Sequence, residues 1–153
     1  MKRLLSILLL LVFVSSTIIS QEKRATPSDA EAWVKKAIAY YKEAGLEKSF
    51  KEFSNPNGMF TKGDLYIMVY DLEGKCLAQG SDSSAVGKVR LDLTDPDGKF
   101  IIKDRIEIAK NKGSGWQNYR WANPVSKAVE DKTVYVEKID GYVFTCGAYG
   151  TKK

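Results

Sequence analysis

Two apolar, β-rich runs on either side of Asp140-Gly141 constrain the fold of this chain more than any other feature of its sequence. The runs span residues 133–139 and 142–149, and an Asp-Gly pair between two such runs is a strong short-range signal for a β-hairpin. Three further runs have strand character, at 65–70, 75–79 and 116–121. Five strands joined mostly by hairpins predict an antiparallel sheet.

Three other segments have the residue spacing of helices. The first begins around Ser28 and Glu31, which have capping-box spacing, and ends before Gly45. The second, 46–53, carries one apolar stripe, and the third, 100–112, separates the second strand from the third. The order of elements predicts an α+β domain with its helices packed on one face of the sheet.

The N-terminus has the three parts of a secretory signal. Lys2-Arg3 precedes an apolar block at 7–14, and small serines follow it. The block is shorter than the roughly 20 residues that span a bilayer. We expect residues 1–20 to be a signal peptide, cleaved after Ser16 or Ser20, and 21–153 to be one periplasmic or secreted domain. The alternative is an uncleaved anchor that uses residues 4–19.

The composition argues against several classes of function. Histidine is absent, which removes Ser-His and Cys-His nucleophile pairs and imidazole metal sites. With no paired carboxylates, nucleophile elbow or phosphate loop, we expect neither an enzyme nor a cofactor. The first 20 residues hold two of the 24 basic residues and no acid, so the exported part has a net charge of +3. Because its lysines are scattered, we expect no nucleic-acid partner.

The run Tyr66-Ile67-Met68-Val69-Tyr70-Asp71-Leu72-Glu73-Gly74-Lys75 resembles the first hairpin of the single Cache domain family, the extracellular sensor domains of bacterial chemoreceptors and sensor kinases. Further pieces match in the same order: Val86-Gly87-Lys88, Asp95-Pro96-Asp97-Gly98-Lys99, Gly115-Trp116, Tyr119, Trp121, Asn123-Pro124, Tyr135 and Gly147-Ala148-Tyr149. The resemblance implies a PAS-like five-stranded antiparallel sheet with a long N-terminal helix and a helical connection between strands 2 and 3. The chain departs from the family where Gln117-Asn118 replaces a common Val-Asp pair and Ala122 replaces a common proline.

The two cysteines, Cys76 and Cys146, could pair in an oxidising compartment or remain buried free thiols. In the strand order that the resemblance implies, the first strand lies between the strands that carry them. Two strand spacings amount to roughly 9 to 10 Å, which is too far for a disulfide. We therefore predict two free, buried thiols.

Members of the family bind small molecules between the sheet and the connection that follows the second strand. The resemblance places Tyr119 and Trp121 in the wall of such a pocket, with Lys132 and Tyr135 as polar contacts. Trp116 and Tyr66 complete the candidate site. A cation, hydroxyl donors and aromatic walls suit a small carboxylate.

Strand alternation limits which of these residues share a pocket. Trp116 points to the face opposite Tyr119 and Trp121. Lys132 and Tyr135 are three residues apart, so both face the pocket only if the strand bulges or begins after Lys132. The alternative is that the tryptophans fill the core, that the lysines are solvated, and that Tyr66, Met68 and Tyr70 pack in the core.

The sequence thus predicts an exported small-molecule-binding sensor domain for a short organic acid or a similar carboxylate-like solute. Because the sequence ends at Lys153, soon after the last predicted strand, we expect no signalling domain of its own, and a membrane receptor or sensor kinase as partner. The alternative is an envelope docking protein that uses the same fold with no small ligand.

Overall fold

The computed structural model describes residues 24–150, so the predicted signal peptide and its cleavage sites lie outside the described residues. None of the helices within 24–150 combines the length and the apolar character that a membrane span requires.

Three α-helices and one short 3-10 turn form the helical part of the domain. The helices are α1 (Pro27–Ala44), α2 (Leu46–Phe53) and α3 (Ile101–Lys112), and the 3-10 turn is Ser83–Ala85. The strands are β1 (Thr61–Lys62), β2 (Leu65–Tyr66), β3 (Met68–Tyr70), β4 (Cys76–Gln79), β5 (Ser114–Ala122), β6 (Val129–Ile139) and β7 (Tyr142–Tyr149). The elements predicted from the sequence are therefore present, with the run at 65–70 divided between β2 and β3.

The main sheet has five strands in the order β4-β3-β7-β6-β5, and every neighbouring pair is antiparallel. This confirms the predicted five-stranded antiparallel sheet. The β6–β7 hairpin closes at Asp140-Gly141, where both residues have positive φ, as a tight hairpin turn requires. Strand β6 pairs with β5 and β7 without a shift in register, so the alternation of its side chains is unbroken from end to end.

The helices lie on both faces of the sheet, and the predicted packing on one face is wrong. Helices α1 and α2 cover one face, where the buried cluster includes Val34, Phe53, Val69, Phe144 and Cys146. Helix α3 covers the other face, with Met68, Ile102, Ile106, Val136 and Val143. A sheet whose strands are apolar on both faces needs helices packed against each face. The order of helices along the chain does not show which face of the sheet each helix covers.

The first helix starts two residues earlier than its predicted capping box. Thr26 is the N-cap, its hydroxyl accepts from the Asp29 backbone N–H at 3.2 Å, and the Asp29 carboxylate accepts from the Thr26 backbone N–H at 2.8 Å. The sequence contains two possible capping boxes, Thr26–Asp29 and Ser28–Glu31. The first prevails because Pro27 then stands at N1, where its missing N–H costs nothing.

The connection between β4 and α3 lies along the sheet rather than looping into solvent. It runs beside β4, where the N–H of Cys76 donates to Lys88 O at 2.9 Å and that of Arg90 to Gly74 O at 2.9 Å. Further on, Asp95 is buried, and its carboxylate accepts from the backbone N–H groups of Asp97, Lys99 and Arg120. Hydrogen bonds thus hold the connection both to β4 and to the edge strand β5.

Both cysteines are free and fully buried, as predicted. Strand β3 lies between β4, which carries Cys76, and β7, which carries Cys146. Their side chains also belong to opposite faces of the sheet, a second reason why they do not pair.

Candidate ligand-binding site

A small cavity lies between the sheet, helix α3 and the connection that precedes α3. Tyr66 comes from β2, which precedes the main sheet, and the sheet itself contributes Met68 and Tyr70 from β3 and Tyr119 and Trp121 from β5. Arg90 and Leu93 come from the connection, and Arg105 comes from α3. The cavity volume is about 20 Å³, enough for roughly one water molecule.

Arg105 is the buried cation of this cavity. Its side chain is 1% exposed, and its guanidinium donates to Tyr119 Oη at 3.1 Å and to Gln117 Oε1 at 3.3 Å. It also lies over the ring of Tyr70, 5.3 Å from the centroid. Among residues 24–150 no carboxylate forms an ion pair with it.

Burial by itself lowers the pKa of Arg105, but the phenol oxygens of Tyr119 and Tyr70 outweigh that effect and raise it. The guanidinium therefore stays charged. Two of its donor groups meet the oxygens of Tyr119 and Gln117, and a guanidinium has five N–H donors in a planar fork that matches a carboxylate.

Lys132 is a second buried cation on the same face. It is 1% exposed, and its ammonium donates to Tyr66 Oη at 2.6 Å and to Tyr149 Oη at 3.0 Å. Within the described part of the chain it also has no carboxylate partner. Tyr149 Oη lies 3.1 Å from the carbonyl oxygen of Ala122, to which it donates. Lys132 does not line the cavity itself, but its ammonium contacts the hydroxyl of Tyr66, which does.

The same contact sets the ionisation of Tyr66 and Lys132. Burial opposes the charged form of both groups, but the phenol oxygens raise the pKa of Lys132, and the ammonium lowers the pKa of Tyr66. For Tyr149 the effect of burial dominates and raises its pKa. The site therefore keeps two positive charges beside phenol oxygens.

The structure brings four of the six predicted site residues together. Tyr66, Tyr119 and Trp121 line the cavity, and Lys132 lies behind Tyr66. Tyr135 and Trp116 face the other way, with ring centroids 5.1 Å apart on the α1 side of the sheet. Contrary to the expectation, these two do not line the α3 cavity. Tyr135 faces away because β6 has no bulge between Lys132 and Tyr135, and Trp116 lies on the face of β5 opposite Tyr119.

The sequence interpretation missed Arg105, Arg90 and Tyr149. One signal for Arg105 was available: it stands on the inward stripe of α3, three residues after Ile102 and four before Ala109. An arginine on an apolar stripe requires a partner, because an isolated buried charge is costly. No comparable signal marks Tyr149, whose contact with Lys132 depends on the pairing of β6 with β7.

A larger groove of about 700 Å³ lies between the start of α1, the β1–β2 hairpin and the loop after β5. Its charged groups carry both signs and several are already engaged: Arg24 pairs with Glu130 at 2.6 Å, and Asp29 closes the cap of α1. The groove thus exceeds the α3 cavity in volume, but it lacks buried cations without carboxylate partners. For recognition of an anion, charge and burial point to the smaller cavity.

The model of the single Cache domain 2 family matches residues 25–149, nearly all of the described chain. The chain therefore belongs to this family. Cache domains are extracellular or periplasmic sensor domains, and their fold binds ligands rather than catalysing reactions.

Among curated proteins, the sensor histidine kinase MctS of Rhizobium johnstonii is 36% identical over 84 residues, which are 55% of this chain and 18% of that protein. The chain thus matches less than a fifth of the relative's length.

A methyl-accepting chemotaxis protein of Vibrio parahaemolyticus has a similar fold, with a TM-score of 0.70 and 20% identity over 80% of this chain and 86% of the other. A structure described as the basis for carboxylic acid recognition by a Cache chemosensory domain gives a TM-score of 0.62 and 21% identity, over 81% and 88% of the two chains.

Proposed function

We propose that this single Cache domain is an exported sensor module that binds a short organic acid in the α3 cavity. The observation that carries the proposal is the pair of buried cations, Arg105 and Lys132, which have hydroxyl and amide partners but no carboxylate among residues 24–150. A buried charge is expensive unless it is paired. An anionic ligand supplies the missing charge.

In this proposal Arg105 is the primary contact of the ligand carboxylate. Its planar fork binds two carboxylate oxygens at once, and the hydroxyl of Tyr119, 3.1 Å from the guanidinium, is placed to donate a further hydrogen bond. Lys132 adds positive charge and orients the hydroxyl of Tyr66. Trp121 and Leu93, which line the same cavity, provide apolar contact for a short carbon chain.

The cavity must enlarge to admit such a ligand, because its volume of about 20 Å³ matches a single water. The side chains of Arg90 and Leu93, which form one wall, are the groups placed to move, since the main chain of the connection is hydrogen-bonded to β4 and its Asp95 carboxylate to β5. Their displacement on binding would change the surface that a partner protein meets. We propose a membrane receptor or sensor kinase as that partner, in keeping with the kinase relative.

Export rests on the sequence of residues 1–20, which has the three parts of a secretory signal. We propose cleavage after Ser16 or Ser20, with the domain released to the periplasm or beyond the cell. N-terminal sequencing of the exported protein tests this, and an N-terminus at Met1 contradicts it.

The carboxylic-acid-binding Cache structure supports the proposed class of ligand, although its 21% identity to this chain supports no residue-level transfer. A second candidate function, an envelope docking protein without a small ligand, is favoured by the small volume of the cavity. The two functions differ in one measurable property, which is saturable binding of a small acid.

The test is a thermal-shift screen followed by calorimetry on the purified protein, with short carboxylates, amino acids and amines. A ligand at a hundred times its dissociation constant should stabilise the fold by about 2.7 kcal/mol. We expect Arg105→Gln to weaken the binding of a carboxylate about 100-fold, because a buried charge pair is lost. Lys103→Gln is the matched control, since Lys103 lies on the same helix but is exposed and pairs with Asp92.

Tyr119→Phe provides a variant that is less disruptive than Arg105→Gln, and we expect about tenfold weaker binding from the loss of one hydroxyl. If no carboxylate shifts the melting temperature, the docking function replaces the sensor function. If both variants bind with unchanged affinity, the acid binds elsewhere.

A further inference from the structure

Arg90 is a second arginine that lines the α3 cavity, from the side of the connection. Its backbone is held in place: its N–H donates to Gly74 O at 2.9 Å, and its carbonyl accepts from Leu93 N–H at 3.1 Å. Arg90 is half-buried, so its guanidinium stands between the cavity and solvent. The arginine is therefore fixed at the mouth of the cavity by its main chain.

The side chain of Arg90 differs from those of the other arginines in the described range. Arg24 pairs with Glu130, Arg120 with Asp97, and Arg105 with Gln117 and Tyr119. Within residues 24–150 the guanidinium of Arg90 has neither an ion pair nor a hydrogen bond. Asp82, whose pKa is lowered by its hydrogen bonds with Ser84 and also by the charge of Arg90, is exposed and accepts from Ser84 N–H to cap the short 3-10 turn.

The lining of the cavity contains two guanidinium groups and no acidic side chain. One carboxylate on Arg105 satisfies the buried cation but leaves Arg90 without a partner at the mouth. A second acidic group on the ligand would meet Arg90, and a charge-assisted pair at that point discriminates against ligands that lack the group.

Resting on the proposed function, we infer that the preferred ligand is a short dicarboxylate, with one carboxylate on Arg105 and the other on Arg90. Arg105 then provides affinity for any short acid, and Arg90 provides selectivity for a second acidic group. The inner carboxylate lies against Tyr119, and the outer one lies where the connection meets solvent.

Calorimetry with acids of matched length tests the inference: propionate against malonate, and butyrate against succinate, at one ionic strength. We expect each diacid to bind wild-type protein about tenfold more tightly than the monoacid of equal carbon number, from one additional charge-assisted hydrogen bond. In Arg90→Gln the preference for the diacid over the monoacid of equal carbon number should disappear. Arg90 is half-buried and has no side-chain partner within residues 24–150, so this variant should fold, as thermal unfolding will verify.

Lys88→Gln is the matched control, because it removes an exposed cation from the same segment that does not line the cavity. It should leave the preference for diacids intact. Equal affinity of monoacids and diacids in the wild type overturns the inference, as does an undiminished preference in Arg90→Gln. In either case the proposed function stands if Arg105→Gln weakens binding of the monoacid as expected. If neither class of acid binds the wild type, the proposed function and the inference both fail.

Discussion

The ammonium nitrogen of Lys132 lies 2.6 Å from the phenol oxygen of Tyr66, although 66 residues separate the two in the sequence. Both side chains are buried, and the second acceptor of the ammonium, Tyr149, is also a phenol. A buried lysine with phenol partners and no carboxylate in the described chain stabilises the unliganded fold little, because the cost of desolvating the charge offsets its hydrogen bonds.

We expect Lys132→Met to leave the free energy of unfolding of the unliganded protein within about 1 kcal/mol of the wild type, or to raise it, because an apolar side chain of similar length removes a buried charge. The same variant should weaken binding of the organic acid. Urea denaturation and calorimetry measure the two effects separately. Lys138→Met, near the other end of β6, is the control and should bind normally. A loss of about 3 kcal/mol in Lys132→Met would show that the lysine has a structural role.

The turn at Asp95 gives a prediction about stability. The Asp95 carboxylate is buried and accepts three backbone N–H groups, from Asp97, Lys99 and Arg120. We expect Asp95→Ala to lower the free energy of unfolding by about 3 kcal/mol, because these donors lose a charged acceptor. Asp97→Ala, which removes an exposed carboxylate from the same turn, should cost less than about 0.5 kcal/mol. Equal losses in the two variants would contradict the account of the turn.

The Asp95 carboxylate should also make the free energy of unfolding depend on pH in the acid range. Burial raises the pKa of Asp95, but the three backbone hydrogen bonds outweigh burial and hold the pKa below its ordinary value. A lowered pKa in the folded state means that the stabilisation is present above the ordinary carboxyl pKa of about 3.9 and is lost as the pH falls through the lower folded-state value. The wild type should therefore lose more stability than Asp95→Ala between pH 4 and pH 2, as urea titrations at each pH will measure.

The two thiols predict a difference in reactivity between folded and unfolded protein. Burial raises the pKa of Cys146 to about 12 and also raises the pKa of Cys76. Since the thiolate is the reactive form, neither cysteine should react with a disulfide reagent at pH 8 while the protein is folded. Both should react completely in urea without a reductant. Absence of free thiol in the unreduced, unfolded protein would contradict the structure.

The raised pKa of Cys146 also predicts a loss of stability in alkali. A thiol whose folded-state pKa is raised stabilises the fold below the ordinary thiol pKa, and that contribution is lost as the pH rises toward about 12. We expect Cys146→Ala to lose less stability than the wild type between pH 9 and pH 11. Parallel curves for the two proteins would contradict the prediction.

Gly74 ends the β3–β4 turn with φ of 84°, and a Cβ atom there would lie 2.6 Å from Leu91 Cδ2. Gly74→Ala therefore combines backbone strain with displacement of the connection that covers the site. We expect a loss of about 2 to 3 kcal/mol in the free energy of unfolding. Gly98→Ala is the matched control: φ is 82°, but nothing lies within 4 Å of the added atom, so only the strain of about 1 kcal/mol remains. Chemical denaturation of both variants measures the difference.

Much of the fold could be predicted because it depends on local patterns. The Asp140-Gly141 hairpin, the helix at 101–112 and the shared face of Tyr66, Met68 and Tyr70 all follow from residues close in sequence. The errors arose where two local solutions compete or where a distant partner decides. Thr26–Asp29 and Ser28–Glu31 both offer a capping box, and the position of Pro27 selected the first. The face that each helix covers depends on packing across the sheet.

The candidate site shows the same division between local and distant determinants. Alternation along β6 already placed Lys132 and Tyr135 on opposite faces, and the unbroken register of that strand makes the separation final. Arg105 was missed because an arginine on an amphipathic helix usually turns to solvent. Its burial became evident only when α3 was found against Tyr119 and Gln117.

The sequence by itself determined which segments form strands and helices and which residues of each share a face, because these properties depend on periodicity and turn chemistry over a few residues. It also determined that metal sites and nucleophile pairs based on histidine are absent, since the chain has no histidine. The tertiary structure decided which of the two faces meets α3, and with it the meeting of Arg105 with Tyr119 and of Lys132 with Tyr66. The contact of Lys132 with Tyr66 spans 66 residues and depends on the order of strands in the sheet, which no local pattern contains. The contact of Arg105 with Tyr119 joins the consecutive elements α3 and β5 and depends on how α3 packs on the sheet.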